Sequence, residues 1–202
     1  MTPSPDPLTR LPANPPPRPP LTALDIIGGE HRSLAAVLEA LGRYVEPLRQ
    51  HRVRPDCDVF ATILAYLETF ADRFHHPKED EFLFRAVRER TREADPVLRR
   101  LQHEHAVGPA ELEALKGALL RTRGGGERDL DEFAFRLEAY TRGQAEHLRV
   151  EDDLVVPMAR RFLTPRDWEP IDAAFRAHRD PFFGIGANGP IGGLMRRAVA
   201  LA

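Results

Sequence analysis

His31, His75, Glu79, His105, His147 and Glu151 carry the donor types of a metal site, and they occur as two copies of one pattern. Glu30-His31 is followed by His75-x-x-x-Glu79, and Glu104-His105 by His147-x-x-x-Glu151. The lone histidine precedes the paired one by 44 residues in the first copy and by 42 in the second. Leu38-Glu39-Ala40-Leu41 begins seven residues after His31, and Leu112-Glu113-Ala114-Leu115 begins seven after His105, so the repeat extends beyond the polar residues. On a helix, residues four apart differ by roughly 40° and about 6 Å of rise. His75 and Glu79 therefore share a side, as do His147 and Glu151, and each pair can reach one cation or two adjacent ones.

These six residues must be positioned by helices, because each lies in an apolar stripe of helical period. The first stripe reads Leu24, Ile27, His31, Leu34, Leu38, Leu41, Val45 and Leu48. After Pro55, with Asp56 or Asp58 as a cap, the second reads Leu64, Leu67, Ala71, His75, Glu79, Phe82 and Ala86. Pro96 opens a third helix bearing Leu98, Leu101, His105, Leu112, Leu115 and Leu119. Gly124-Gly125-Gly126 ends it, and a fourth aligns Phe133, Tyr140, His147, Glu151, Leu154 and Met158. Pro77, Pro109 and Pro157 each remove one intrahelical bond and predict a kink or a helix end. The expected fold is all-α: an up-and-down antiparallel four-helix bundle over 21–163 with a short helical extension. Thr164-Pro165 starts that extension (164–202), helical to about His178, irregular over 181–193, with a short helical turn from Met195. Residues 1–20 hold nine of the 19 prolines and read as an extended, disordered tail.

Burial decides between a metal site and ordinary polar residues. A lone His-x-x-x-Glu is common as an ion pair on a solvated helix face. Six such groups gathered inside one bundle are different: an unpaired buried carboxylate costs several kcal/mol and an unsatisfied imidazole about 1–3. That sum rivals the ~5–15 kcal/mol net stability of a domain. Two divalent cations offset it, and mixed imidazole and carboxylate donors favour iron, with zinc or manganese also accommodated. His76 and Asp80 are also four apart; aligning Glu79-Asp80-Glu81 with Glu151-Asp152-Asp153 selects His75 as the partner of His147. Glu30, Glu104 and Glu146 directly precede the histidines and are candidates for supporting contacts, with an interhelical or solvated role as the alternative. Glu68 and Tyr140 stand seven residues before His75 and His147; Glu68 is the candidate additional ligand, and Tyr140 could donate a hydrogen bond toward a bound ligand. His51, His103 and His178 have no counterpart in the repeat and read as surface residues.

Phe74-His75-His76-Pro77-Lys78-Glu79-Asp80-Glu81-Phe82-Leu83-Phe84 resembles the signature of the hemerythrin-like (HHE cation-binding) domain family, and Glu146-His147-Leu148-Arg149-Val150-Glu151-Asp152-Asp153 resembles its second copy. Glu30-His31 and Glu104-His105 resemble the family's single-histidine positions. The resemblance spans roughly residues 21–163. It implies a bundle around a non-haem di-iron centre, with His31, His75, His105 and His147 as terminal ligands and Glu79 and Glu151 as bridges. Oxygen-carrying hemerythrins have five histidines; this chain is similar to the four-histidine branch, which includes proteins of nitric oxide stress and iron–sulfur repair. The family's Leu-Phe-Pro appears here as Leu83-Phe84-Arg85 and Val155-Val156-Pro157.

These residues and the resemblance lead to the expectation of a di-iron protein that binds or senses O2, NO or peroxide. The alternatives are a di-iron redox enzyme (oxidase, peroxidase or NO reductase, served by a redox partner) and an iron-dependent regulatory or repair module. A net charge of −2 gives no field to recruit nucleic acid or an acidic membrane. One cysteine, Cys57, allows no intramolecular disulfide framework, and the chain shows neither a spanning apolar run nor a signal-peptide pattern. A cytoplasmic location is expected; the oligomeric state is open.

Overall fold

A computed structural model describes residues 21–177, and among them the regular structure is all helical. The expected tail at 1–20, His178 and the segments at 181–193 and 195–202 lie outside the described residues. α1 (Ala23–Gly42) opens on a reciprocal cap: the Thr22 hydroxyl accepts the Asp25 N–H, and the Asp25 carboxylate accepts the Thr22 N–H. A turn at Arg43-Tyr44 separates it from the short α2 (Val45–Arg49), so the expected single stripe through Leu48 is carried by two helices. α3 covers 57–90 and is capped by Asp56, whose carboxylate accepts the N–H groups of Asp58 and Val59. α4 (Asp95–Thr122) carries Pro96 in its first turn, α5 covers 127–162, and α6 (Pro165–Ala177) follows Thr164. The α4–α5 turn needs glycine: a Cβ on Gly125 would sit 2.6 Å from the Arg121 carbonyl oxygen.

Two apolar clusters lie on opposite sides of a polar layer, and their order along each helix gives the topology. α1 runs from Ala23, Ile26 and Ile27 in one cluster, past His31, to Leu34, Val37 and Leu41 in the other. α3 runs the opposite way, from Phe60 and Leu64 past His75 and Glu79 to Leu83 and Val87. α4 passes from Leu98 and Leu101 to Leu112 and Leu115, and α5 from Phe133 and Leu137 to Val155 and Ala159. The four long helices therefore alternate in direction, an up-and-down bundle. α6 adds Ile171 and Phe175, both fully buried, to the cluster at the Ala23 end. It is tied there by Asp172, which accepts the Ala23 N–H at 2.6 Å, and by Arg176, which donates to the Leu21 carbonyl.

The helices that carry the paired ligands are not uniformly α-helical. α3 is π-helical over Glu68–His75 and Glu79–Phe84, with α-helix between and beyond; α5 is π-helical over Glu151–Val155. None of the three prolines ends its helix. π turns flank the short segment holding Pro77 and directly precede the one holding Pro157, while α4 continues as α-helix through Pro109. Each π turn takes in an extra residue, which rotates everything after it relative to a 3.6-residue period. This corrects the expected stripes beyond the glutamates. Leu83, Phe84 and Val87 are buried where Phe82 and Ala86 were expected, and Val155 is fully buried while Leu154 is 45% exposed.

Candidate metal centre

The π turns begin at or end on the candidate donors: one closes at His75, one opens at Glu79, and one opens at Glu151. π distortions are frequent at functional sites because they turn side chains out of α-helical register. The bundle brings all six sequence-predicted donors into one layer, and His31, His75, Glu79, His147 and Glu151 are each at most 3% exposed. His105, on α4, has a side chain exposed by only 5%.

The six form two overlapping sets of four. His31 Nε2 lies 3.1 Å from His75 Nε2, 3.4 Å from Glu79 Oε1 and 3.4 Å from Glu151 Oε2. On the other side, His105 Nε2 lies 3.0 Å from His147 Nε2 and 3.8 Å from both Glu79 Oε2 and Glu151 Oε1. His147 Nε2 is 3.3 Å from Glu151 Oε1. Within each set the donor atoms lie no more than 4.8 Å apart. Each glutamate turns one oxygen to each set, so both carboxylates span the two.

Four further carboxylates fix the imidazoles from behind. Nδ1 of His31 faces Asp152 at 2.8 Å, that of His75 faces Glu30 at 2.9 Å, that of His105 faces Asp80 at 3.1 Å, and that of His147 faces Glu104 at 2.8 Å. An Nδ1–H donated to a carboxylate leaves the Nε2 lone pair pointing inward, the tautomer a metal requires. Every orienting carboxylate is a chain neighbour of a donor on a different helix from the histidine it holds. Glu30 and Glu104, expected from sequence, do this; Asp80 and Asp152 do it without having been foreseen. The signal for them was the Glu-Asp pair that follows the histidine in both copies.

The other sequence candidates stand elsewhere. Glu68, the expected additional ligand, is turned to the surface between Lys116 at 3.0 Å and Arg73 at 3.1 Å. Its seven-residue offset from His75 passes through a π turn, which carries it off the ligand face. Tyr140 is buried in the apolar cluster with Phe133 and Leu137, where burial, with Asp72 and Glu111 nearby, raises its hydroxyl pKa; it makes no hydrogen bond to the six donors. Glu146 accepts from Arg149 at 2.7 and 2.9 Å near the surface. His51 pairs with Asp131 at 2.9 Å, and His103 is exposed. Lys78, unremarked in the sequence, is buried 3.5 Å from Glu30 Oε1, with its ammonium over the Phe175 ring.

The electrostatics of the layer fit cations. Among the described residues, Glu79 Oε2 and both oxygens of Glu151 are buried without a hydrogen-bond partner, a costly condition that ligation would relieve. Burial disfavours charge on His31 and His147, but surrounding carboxylates outweigh it. Asp152, Glu79 and Glu151 raise His31 to about 10, and Glu151 with Glu104 raises His147 to about 9. Burial instead pushes His75 down to about 3 and lifts Glu30 to about 7. Without metal, protons on His31 and His147 thus hold the places of cations. Their stabilisation is complete below the ordinary imidazole pKa of ~6.5 and is lost as pH rises through about 9 and 10. Filling both sets at neutral pH should release about two protons per chain and tighten as pH rises. Calorimetry of metal binding in buffers of different ionisation enthalpy measures this, and a release near zero would contradict the assignment.

The family model described as hemerythrin HHE cation binding domain matches residues 22–159, which include all six donors and all four orienting carboxylates. The comparison with curated proteins found no match.

Proposed function

The chain belongs to the hemerythrin HHE cation-binding family, and from that premise we propose that it is a non-haem di-iron protein that binds a small diatomic or peroxidic ligand, O2, NO or peroxide. His31 and His75 would hold one ion, His105 and His147 the other, with Glu79 and Glu151 shared between them. The observation that carries this reading is the double-faced burial of the two glutamates, each with one oxygen toward each pair of histidines. Two iron ions so held would supply redox-active centres with positions open to a small ligand. The chain's own residues do the rest. Asp152, Glu30, Asp80 and Glu104 keep the imidazoles oriented, the two apolar clusters exclude bulk water on either side, and Lys78 keeps Glu30 in place.

A cleft of about 540 Å³ between α1 and α5 favours a small ligand reaching the centre from one side. Leu38, Leu148, Ala35 and Ala145 form its apolar lining, Arg32 and Arg142 also border it, and His31 and Asp152 lie in its wall. The iron-loaded, reduced protein should change its optical spectrum on addition of NO or O2, saturating near one equivalent per di-iron centre. Consumption of many equivalents of peroxide or NO with an electron donor would assign it to catalysis instead. No spectral response to any of the three would overturn the reading. The absence of a helix long and apolar enough to cross a membrane, among the described residues, leaves the site on a bundle without a spanning segment.

A further inference from the structure

α6 lies beyond the family match, yet its buried face ends on the support of one metal position. Its apolar residues Trp168, Ile171 and Phe175 recur at threes and fours, so they face the bundle together. Ile171 and Phe175 are fully buried, and Trp168 packs against the same cluster. Both ends of the helix are tied to helices that carry ligands. Asp167 accepts two hydrogen bonds from Arg90 of α3, at 2.7 and 2.9 Å, and Asp172 accepts the Ala23 N–H of α1.

Between these ties Phe175 meets the site in two ways. Its ring stands at 81° to that of His75, 6.5 Å between centroids, and it takes the Lys78 ammonium at 4.6 Å. Lys78 is buried, and among the described residues its ammonium has no hydrogen bond. It faces Glu30 Oε1 at 3.5 Å, while Glu30 Oε2 holds Nδ1 of His75 at 2.9 Å. A cation is held most firmly over an aromatic face where water is excluded, so the ring replaces part of the hydration that Lys78 gave up. Phe175, Lys78, Glu30 and His75 thus form one continuous line of buried contacts. The second copy lacks this support. Val150 stands where Lys78 does, three residues after the histidine. Glu104, which holds His147, accepts instead from Arg100 at 2.8 Å near the surface, and its side chain is 31% exposed.

We propose that α6 is a latch on one metal position. Phe175 and Lys78 are positioning residues that hold Glu30 against His75, so docking of α6 and occupancy of the position held by His31 and His75 strengthen one another. The proposal rests on the di-iron reading above. Such coupling is reciprocal: whatever factor the docked helix adds to metal affinity, the bound metal adds to docking. Loss of the ion at this position therefore loosens α6 from Ala23 and Arg90, whereas loss of the other ion leaves it seated.

The test uses the full chain titrated with Co(II) and followed by visible absorption. His147→Ala leaves only the position of His31 and His75, and His31→Ala leaves only the other. Phe175→Leu, which keeps an apolar side chain at the buried place and removes the ring, is added to each. Affinity should fall about tenfold in the His147→Ala background, the low end of what outer partners of a ligand cost, and stay unchanged in the His31→Ala background. Lys78→Met should reproduce both results. Hydrogen exchange gives the reciprocal measurement with α6 itself unaltered. Co(II) should slow exchange of the amides of residues 165–177 about tenfold in His147→Ala and far less in His31→Ala. A fall in affinity that is equal at both positions, or absent at both, in folded Phe175→Leu chains would overturn the latch. Equal slowing of exchange in the two backgrounds would overturn it as well. An unmodified chain that takes up no metal would overturn the di-iron reading itself.

Discussion

Glu151→Ala should empty both metal positions, whereas His31→Ala should empty one. Glu151 turns Oε2 to His31 at 3.4 Å and Oε1 to His147 at 3.3 Å, so a single truncation removes a donor from each set. Partners one shell further out typically cost 10–100-fold in metal affinity when removed. Loss of a shared donor should therefore cost at least about 100-fold at both positions. Glu79→Ala should behave alike, since its oxygens face His31 at 3.4 Å and His105 at 3.8 Å. Metal content of the purified variants distinguishes the two behaviours. Either glutamate variant should retain far less than one ion per chain, and His31→Ala about one. Equal retention in all three would show that the glutamates do not span the sets.

Metal removal should destabilise the fold more than any single surface substitution. A ligand held at a free concentration 1,000-fold above its dissociation constant adds about 4 kcal/mol to the stability of the state that binds it, so two such ions add about 8. For a chain of this size, 1 kcal/mol shifts the melting temperature by roughly 2–4 °C, giving a fall of at least about 15 °C on complete chelation. The physical source is visible in the layer. Glu79 and Glu151, both almost wholly buried, keep oxygens without hydrogen bonds unless a cation meets them. Protonated His31 and His147 compensate only in part, and their contribution fades as pH rises through about 9 and 10. The chelation effect should therefore be larger at pH 9 than at pH 6. Thermal unfolding with and without chelator at the two pH values measures it; equal melting temperatures would contradict the account.

What the sequence disclosed and what it withheld divide along a physical line. The six donors were legible because burial and repetition left a trace in the composition of the stripes: polar residues at positions whose neighbours a turn away are apolar. The helices were legible from the same stripes, and Asp56, offered with Asp58 as a cap, from its place just before the second of them. The stripes failed chiefly past Glu79 and Glu151. There the π turns rotate the helix, exposing Leu154 and burying Val155. A hydrophobicity pattern read at 3.6 residues per turn has no term for an inserted residue. The same insertion explains why Glu68, aligned with His75 on paper, ends at the surface with Lys116. Asp80 and Asp152 were hidden for another reason. Each contacts a histidine on a different helix, and that proximity comes from bundle geometry, Asp80 standing 25 positions from His105 and Asp152 121 positions from His31. Lys78 became notable only once Phe175 was seen over its ammonium, a contact contributed by a helix beyond the family match.

The most direct test of the central claim is the number of metal ions per folded chain. The protein should be purified from iron-replete cells, its iron and other metals quantified against protein, and its optical spectrum recorded in reduced and oxidised forms. About two ions per chain are expected, iron foremost, with a spectrum that changes on oxidation. A fully folded chain that carries no metal, takes up none on reconstitution and melts at the same temperature with and without chelator would contradict it.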